Sequence, residues 1–414
     1  MTMVKTKVIL AILFLLFSLP LRGFCLEEEE KEGTWSGSIT GGGAVINMDE
    51  KNTGKDKSYK YGEYTGITDN GYGIGDFDVL YENDDNFYLN FLGEDLGLKS
   101  RSLSMETGWY GGYELFLNYD ETPHYVSNNA KTIYNGVNGN NLTLPEGFER
   151  GDFIQNFAWK ATEFENSLNA YKKGVNIRTD RKSGAVGFSV PVWSVFDFDV
   201  NYRREEKRGL KSIAGVMGQS GGDRRSIWLP EPVNYSVDEI TASLAYLGEK
   251  VQMNLNYFYS NFRNKYNSLT FENPFYSEMV GVRRQNGTTY YINAKDAGNI
   301  RTGETIVTQG PYYYGRYGQM SLDPDNEYHR VSLSTGLDLP MSSRITVLGE
   351  YGLMTQDNAL LPYTINSDAA VHTGLPRNSA MAVMDTFHAT ANLSSRPLED
   401  LSTSFHKFTN VLCD

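Results

Sequence analysis

Period-two alternation of apolar and polar side chains, sustained over runs of about ten residues, constrains this chain more than any other feature. Phe196, Phe198, Val200 and Tyr202 alternate with Asp197, Asp199, Asn201 and Arg203. Val251, Met253, Leu255, Tyr257 and Tyr259 alternate with Gln252, Asn254, Asn256 and Ser260. The same pattern places Val331, Leu333, Leu337 and Leu339 against Arg330, Ser332, Ser334 and Asp338, and Ile345, Val347, Tyr351 and Leu353 against Arg344, Thr346, Glu350 and Gly352. Tyr113 to Tyr119 and Phe387 to Leu393 repeat it near the two ends. Side chains of a strand point alternately to its two faces, so each run predicts a strand with one wet and one apolar side. Strands of a soluble sandwich average five or six residues, whereas a tilted membrane strand needs nine to eleven. The lengths predict an all-β chain: a transmembrane antiparallel up-and-down barrel of the large outer-membrane type, with roughly 12–16 strands by pattern.

The connections point the same way. Tight turns are expected at Trp193-Ser194, at Gly248 to Lys250 and at Pro340 to Ser343, between long polar stretches at 204–234, 262–327 and 355–380. Short turns alternating with long loops mark an outer-membrane barrel, with turns in the periplasm and loops outside. The apolar set Phe196, Phe198, Val200, Tyr202, Val251, Leu255, Tyr257, Leu333, Val347 and Tyr351 is then expected to meet lipid. The polar set Asp197, Asp199, Asn201, Arg203, Gln252, Asn254, Asn256, Arg330, Ser332, Arg344 and Glu350 is expected to line the lumen. Periodicity alone also permits the reverse, apolar inside and polar outside, as in a soluble sandwich or a lipocalin-like barrel.

The N-terminus reads as an export signal over residues 1–25. Lys5 and Lys7 precede the apolar run Val8 to Leu19, and Gly23 and Cys25 are small residues before the acidic stretch Glu27 to Glu30. A bacterial outer-membrane address follows. Residues 26–58 are expected to hold an N-terminal periplasmic or luminal segment and the first strand, and 59–403 the barrel portion. Abundant Tyr (28), Phe (21) and Gly (41) suit pleated strands, interfacial aromatics and turns. The formal net charge of −13 disfavours nucleic-acid binding.

No catalytic constellation stands out, and an enzyme is not expected. His124, His329, His372, His388 and His406 are widely scattered. With only Cys25 and Cys413, neither a CxxCH haem-attachment motif nor a zinc site can form, and no metal or bound cofactor is expected. Gly71, Gly73 and Gly75 make a GxGxG pattern flanked by strand-like sequence, so a turn is expected rather than a phosphate cradle. The acidic groups Asp69, Asp76 and Asp78, and Asp323, Asp325 and Glu327, miss the EF-hand spacing and read as solvated turns, with calcium in an outer loop the alternative.

An ordered series of short motifs carries a family resemblance. YGEYT at Tyr61–Thr65, GYGIGDF at Gly71–Phe77, DLGLKSRSL at Asp95–Leu103, NYDETP at Asn118–Pro123 and NLTLP at Asn141–Pro145 come first. DPDN at Asp323–Asn326, TQDN at Thr355–Asn358, LPYT at Leu361–Thr364 and LSSRPL at Leu393–Leu398 follow. Together they resemble the MtrB/PioB family of decahaem-associated outer-membrane proteins, over nearly all of the chain to about Leu401. The resemblance implies a sheath around a periplasmic multihaem c-type cytochrome, completed by an outer-surface multihaem cytochrome, so that electrons cross the outer membrane. The partners would carry all the haem, and the chain itself would meet only lipid and protein. A diffusion porin or small-solute transporter is the alternative, with the 262–327 stretch as its inward constriction loop. Two departures stand out. An N-terminal CxxC pair found in some members is absent, and residues 404–414 leave both the alternation and the family pattern. That tail is expected to mark a truncated or frameshifted product and an incomplete, open barrel.

Overall fold

The computed structural model describes residues 33–413 apart from 46–57, 68–70, 151–152, 155–157, 160, 218–224, 276–278, 286–287, 294–304, 308–314, 367–373 and 399. The expected signal segment lies outside the described residues. Thirteen strands form one antiparallel sheet in which every strand pairs with its neighbour in sequence. They are β1 (Thr34–Val45), β2 (Gly71–Glu82), β3 (Phe87–Glu94), β4 (Ser102–Trp109), β5 (Glu114–Thr132), β6 (Lys173–Val192) and β7 (Phe196–Met217), followed by β8 (Arg225–Leu247), β9 (Val251–Asn264), β10 (Asn326–Leu339), β11 (Ser343–Gln356), β12 (Ala382–Leu398) and β13 (Leu401–Cys413). This is the up-and-down order of an outer-membrane barrel. The sheet is open, since β1 and β13 are edges and do not pair with each other.

All the short turns fall at one end of the sheet. Asn83–Asn86 joins β2 to β3, Tyr110–Tyr113 joins β4 to β5, Trp193–Val195 joins β6 to β7 and Gly248–Lys250 joins β8 to β9. Trp193 and Ser194 have φ of 53° and 55°, and Met341 and Ser342 have 62° and 47°. Two successive positive φ values give the hairpin turn whose twist matches that of the strands. The long connections all fall at the opposite end, as expected for turns on one side of a membrane and loops on the other.

One expectation changes here. The stretch 204–234 is mostly strand: β7 and β8 stay in register from Phe196↔Tyr246 to Met217↔Arg225. Backbone pairing continues past the apolar band, where ion pairs such as Arg204–Asp238 replace the apolar stripe and residues such as Leu210 and Leu229 pack into loop-end cores, so simple alternation stops but the strand does not. The tail is strand too, for β13 pairs with β12 along Ser404↔Ser394, His406↔Asn392 and Phe408↔Thr390. Its backbone completes a ladder while its side chains break the face rule, with Lys407 opposite Ala391 and Phe408 opposite Thr390.

The GxGxG segment is likewise strand, the start of β2. The 95–98 loop lies against it, and Gly97 permits the close approach, since a Cβ there would lie 1.8 Å from Gly73 O. Leu96 N donates to Gly75 O (2.9 Å) and Asp95 N to Asp76 Oδ1 (2.8 Å). Of the N-terminal segment, β1 forms the sheet edge. Ser58–Ile67 sits at the loop end, where Tyr125 N donates to Glu63 O (2.8 Å) and Tyr59 stacks on buried Tyr125.

Candidate functional site: the two faces of the sheet and the cap at its loop end

Residues directly opposite in an antiparallel ladder share a face, so the register sorts every expected site residue. Asp197, Asp199, Asn201 and Arg203 pair with Ala245, Ser243, Thr241 and Glu239. Ser243 and Ala245 pair on with Asn256 and Asn254, and Leu247 with Gln252. Asn256 meets Ser332, and Phe258 meets Arg330. Ser332 meets Glu350, and Asp338 meets Arg344. The whole expected luminal set therefore lies on one polar face.

The other face collects the expected lipid set. Phe196, Phe198, Val200 and Tyr202 oppose Tyr246, Leu244, Ala242 and Ile240. Leu244 meets Leu255 and Ala242 meets Tyr257, Leu255 meets Leu333 and Val251 meets Leu337, and Val331 meets Tyr351 and Thr335 meets Val347. The stripe runs the other way through Val186 and Phe188, Leu115 and Leu117, Met105, and Leu89 and Phe91 to Val79 and Tyr81.

This apolar face has two borders. Toward the turns, aromatic rings form a girdle: Trp35–Tyr81 (4.9 Å between centroids), Tyr81–Phe87 (6.2 Å), Phe87–Trp109 (4.9 Å), Trp109–Tyr113 (4.8 Å) and Phe196–Tyr246 (5.1 Å). Toward the loops stands a row of ion pairs: Arg101–Glu121 (2.9 Å), Lys182–Glu121 (2.9 Å), Arg204–Asp238 (2.9 Å) and Arg263–Glu327 (2.7 Å). Between the borders, Val251 to Tyr259 of β9 spans about 26 Å along the strand, or about 20 Å once tilted by roughly 40°, near the ~25 Å apolar band of an outer-membrane barrel.

The polar face is rich in amides and hydroxyls, and carboxylates are spread across it, with Glu239 on β8, Asp338 on β10 and Glu350 on β11 among them. Asp76 and Asp78 on β2, Glu106 on β4, Glu114 and Asp120 on β5 and Asp199 on β7 point to it. Tyr88 donates toward both Glu106 and Glu114 (3.0 Å each). The acidic trio near 325 is engaged by protein groups: Asp323 by Tyr235 and Lys211, Asp325 by Arg263 and Asn264 N, Glu327 by Arg263. The described histidines stay scattered. His124 stacks on Tyr64, His329 lies beside Tyr257 and Tyr259, and His406 bonds Asn392.

The sequence reading missed a packed cap at the loop end. At Gly209, where φ is 144° and a Cβ would lie 2.1 Å from Arg178 O, the β7–β8 hairpin leaves β6. Beyond it, Leu210 and Trp228 pack with Val175 and Ile177 of β6 and with Ala130 and Val137. Val175 and Ile177 share the parity of Arg181, which pairs with Lys207, so the hairpin tip folds over the polar face. Two loops complete the cap. Ser268–Glu272 pairs in parallel with Asn141–Leu142 and antiparallel with Tyr317–Ser321. Tyr134, Leu142, Phe148, Phe164, Leu229, Leu269, Phe271 and Phe275 close into one core. Several of its polar groups are paired. The Glu272 carboxylate takes Leu144 N (2.6 Å) and Arg150 (3.3 Å), and Tyr134 donates to Glu272 O (2.8 Å). Only the loop length announced this structure, since contacts such as Tyr134–Glu272 and Asn141–Thr270 join segments more than a hundred residues apart.

The cap is tied to the hairpin by ions. Glu231, 2% exposed, pairs with Lys211 (3.0 Å). Lys211→Met should therefore leave a buried carboxylate without its cation and cost about 2 kcal/mol, discounted because Lys211 is half exposed. Chemical unfolding in detergent micelles measures this. The Tyr235 hydroxyl and the Lys211 ammonium hold the Asp323 carboxyl below the usual aspartate range. A depressed carboxylate stabilises at pH above its unfolded value of about 3.9 and loses that contribution as pH falls through the folded value. Protease sensitivity of the 265–322 loop should thus stay flat down to about pH 4 and rise below it. Asp323→Asn should show the raised sensitivity at neutral pH.

Comparisons with known proteins place this geometry. The profile of the family described as outer membrane beta-barrel porin, MtrB/PioB, matches residues 53–405. Outer membrane protein MtrB of Shewanella baltica (strain OS185) is 30% identical over 292 residues, covering 69% of this chain and 34% of the relative. The chain thus spans about a third of that relative's length. Among solved structures, OmpT of Vibrio cholerae in its trimer form overlays with a TM-score of 0.30 at 10% identity, covering 90% of this chain and 77% of OmpT. Copper transporter OprC overlays with a TM-score of 0.28 at 9% identity, covering 92% of this chain and 61% of OprC. These overlays are too weak to add to the fold assignment.

Proposed function

The chain belongs to the MtrB/PioB family of bacterial outer-membrane β-barrel proteins, and we propose that it forms wall of a sheath that houses a multihaem c-type cytochrome and supports electron transfer between periplasm and cell exterior. The apolar face meets lipid and the polar face lines the lumen. One observation carries the reading: this chain supplies thirteen sheet strands, and the 69% of it that aligns answers to only 34% of the relative. A barrel of that relative's full length would exceed the 16–18 strands of a solute porin, and its lumen would widen enough to hold a folded protein. The wall supplies no redox centre. It keeps lipid from a polar haem protein across roughly 30 Å of hydrocarbon and satisfies its own backbone within the sheet. An outer-surface multihaem cytochrome would continue the path at the loop end.

The test is affinity purification from native outer membranes followed by haem staining. The sheath reading expects a periplasmic multihaem cytochrome in stoichiometric yield. A barrel recovered with no haem protein would remove it. The family description and the packing of Leu269, Phe271, Phe275 and Leu322 into the cap favour a second reading, a solute porin, which would show open single-channel conductance without any haem protein.

A further inference from the structure

The cap lies over the polar face at one end only. The turn end of that face carries nothing comparable among the described residues: its connections are three or four residues long where β2–β3, β4–β5, β6–β7 and β8–β9 join. The loop end is roofed over part of its width by three segments that share a single apolar core. A core of this kind is not a mobile fringe, since opening it exposes several large side chains at once.

Directly below the bend at Gly209, one row of the polar face presents Arg181 and Lys207 side by side, and Lys211 stands two rows higher. Arg181 is committed to Glu205 (3.1 Å), and Lys211 to Glu231 and Asp323. Lys207 forms no ion pair or hydrogen bond among the described residues, although it is partly buried between two other cations. Its burial, and after it the nearby Arg181 and Lys211 cations, pull its ammonium below the ordinary lysine range against a smaller opposing pull from Glu205 and Asp323, a cost that a further anion would relieve.

We propose that the cap is an axial stop: a folded protein enters the lumen from the turn end, halts against the cap, and sets carboxylates on its leading end against Lys207. This rests on the sheath reading, and adds to it a direction of loading and an acidic leading end for the occupant. Because the cap belongs to the barrel chain, the same contact fixes how far the occupant reaches toward the outside.

The experiment uses the full chain with Cys413→Ser, in outer membranes of cells making their own multihaem cytochromes. Lys207→Cys and Asn254→Cys are labelled separately with a benzophenone maleimide and irradiated. Haem-stained adducts are then mapped by peptide sequencing. Each position is expected to capture a haem protein, with Lys207→Cys taking one confined segment rich in Asp and Glu. In parallel, Lys207→Glu should lower the haem retained through a salt wash by about tenfold, and Lys207→Arg should keep it. Capture at Asn254→Cys with none at Lys207→Cys overturns the stop and leaves the sheath standing. So does capture at Lys207→Cys spread over many segments, and so does full haem retention by Lys207→Glu. Haem absent at both positions and from the purified barrel overturns sheath and stop together. The cross-linking arm stands even if the charge reversal fails to assemble.

Discussion

Leu255→Arg should destabilise the membrane-inserted sheet by about 2–4 kcal/mol, the cost of a cation at mid-depth on the lipid face of a barrel. Leu255 is at the centre of the Val251–Tyr259 band, flanked across the ladders by Leu244 and Leu333, and 47% exposed because nothing of the protein covers it. Asn256→Arg, one residue along, should cost less than about 0.5 kcal/mol, since its side chain joins Ser243 and Ser332 on the wet face. Urea unfolding in lipid vesicles, followed by tryptophan fluorescence, measures both. The ordering matters more than either value. A soluble sandwich with its apolar face packed inward would also penalise Leu255→Arg, but would lose it from a buried core rather than from contact with lipid. Leu255→Ala separates the two. It would leave a cavity worth 2–5 kcal/mol in a packed core, and much less where acyl chains fill the gap.

Phe271→Ala should dissolve the cap and spare the wall. The Phe271 ring is 3% exposed and fills the space over Gly215 and Gly318, where a Cβ would come within 3.1 and 2.3 Å of it. Truncating such a buried aromatic costs about 3–5 kcal/mol, enough to unseat a small core. Cleavage of the 265–322 loop by added protease should then rise by at least tenfold in intact membranes. The heat-modifiable band of the barrel should stay unchanged, because Phe271 lies outside the thirteen-stranded sheet. Phe198→Ala is the matched control. It removes a ring of the same size from the apolar face, where Val190 and Leu244 are its ladder neighbours, and should leave loop cleavage as it was.

Where the sequence was legible, one physical constraint acted alone. From Phe196 to Arg203 one side meets an apolar medium and the other water, so residue type reports face directly. Past Arg204 that contrast ends. Arg204, Glu206 and Arg208 sit on the face that lower down carries Phe198 and Val200, paired with Asp238 and with one another. The strand goes on to Met217 with no alternation to betray it. The tail hid its strand for a related reason. Backbone hydrogen bonds hold β13 to β12 whatever the side chains, and the Lys407 and Phe408 positions invert the rule that a sequence reader relies on. The cap was illegible because its contacts are distant in sequence. Nothing near Asn141 announces pairing with Thr270, nor anything near Tyr134 that its hydroxyl meets the backbone of Glu272. The partition of side chains between two faces could be read from period alone. Which face is wet inside a lumen could not, and it comes from strand length, the one-sided turns, the borders of the apolar band and the family.

The account turns on that last assignment, and single-cysteine labelling along β9 tests it most directly. In a Cys413→Ser background, each position from Gln252 to Tyr259 is changed to cysteine in turn and spin-labelled in vesicles. Collision with lipid-dissolved oxygen is then compared with collision with a water-soluble nickel chelate. Oxygen access should peak at positions 253, 255, 257 and 259, and nickel access at 252, 254, 256 and 258, in strict alternation. Equal access to nickel on both faces, or the opposite phase, would contradict a sheet with lipid on its apolar side and a hydrated lumen on the other.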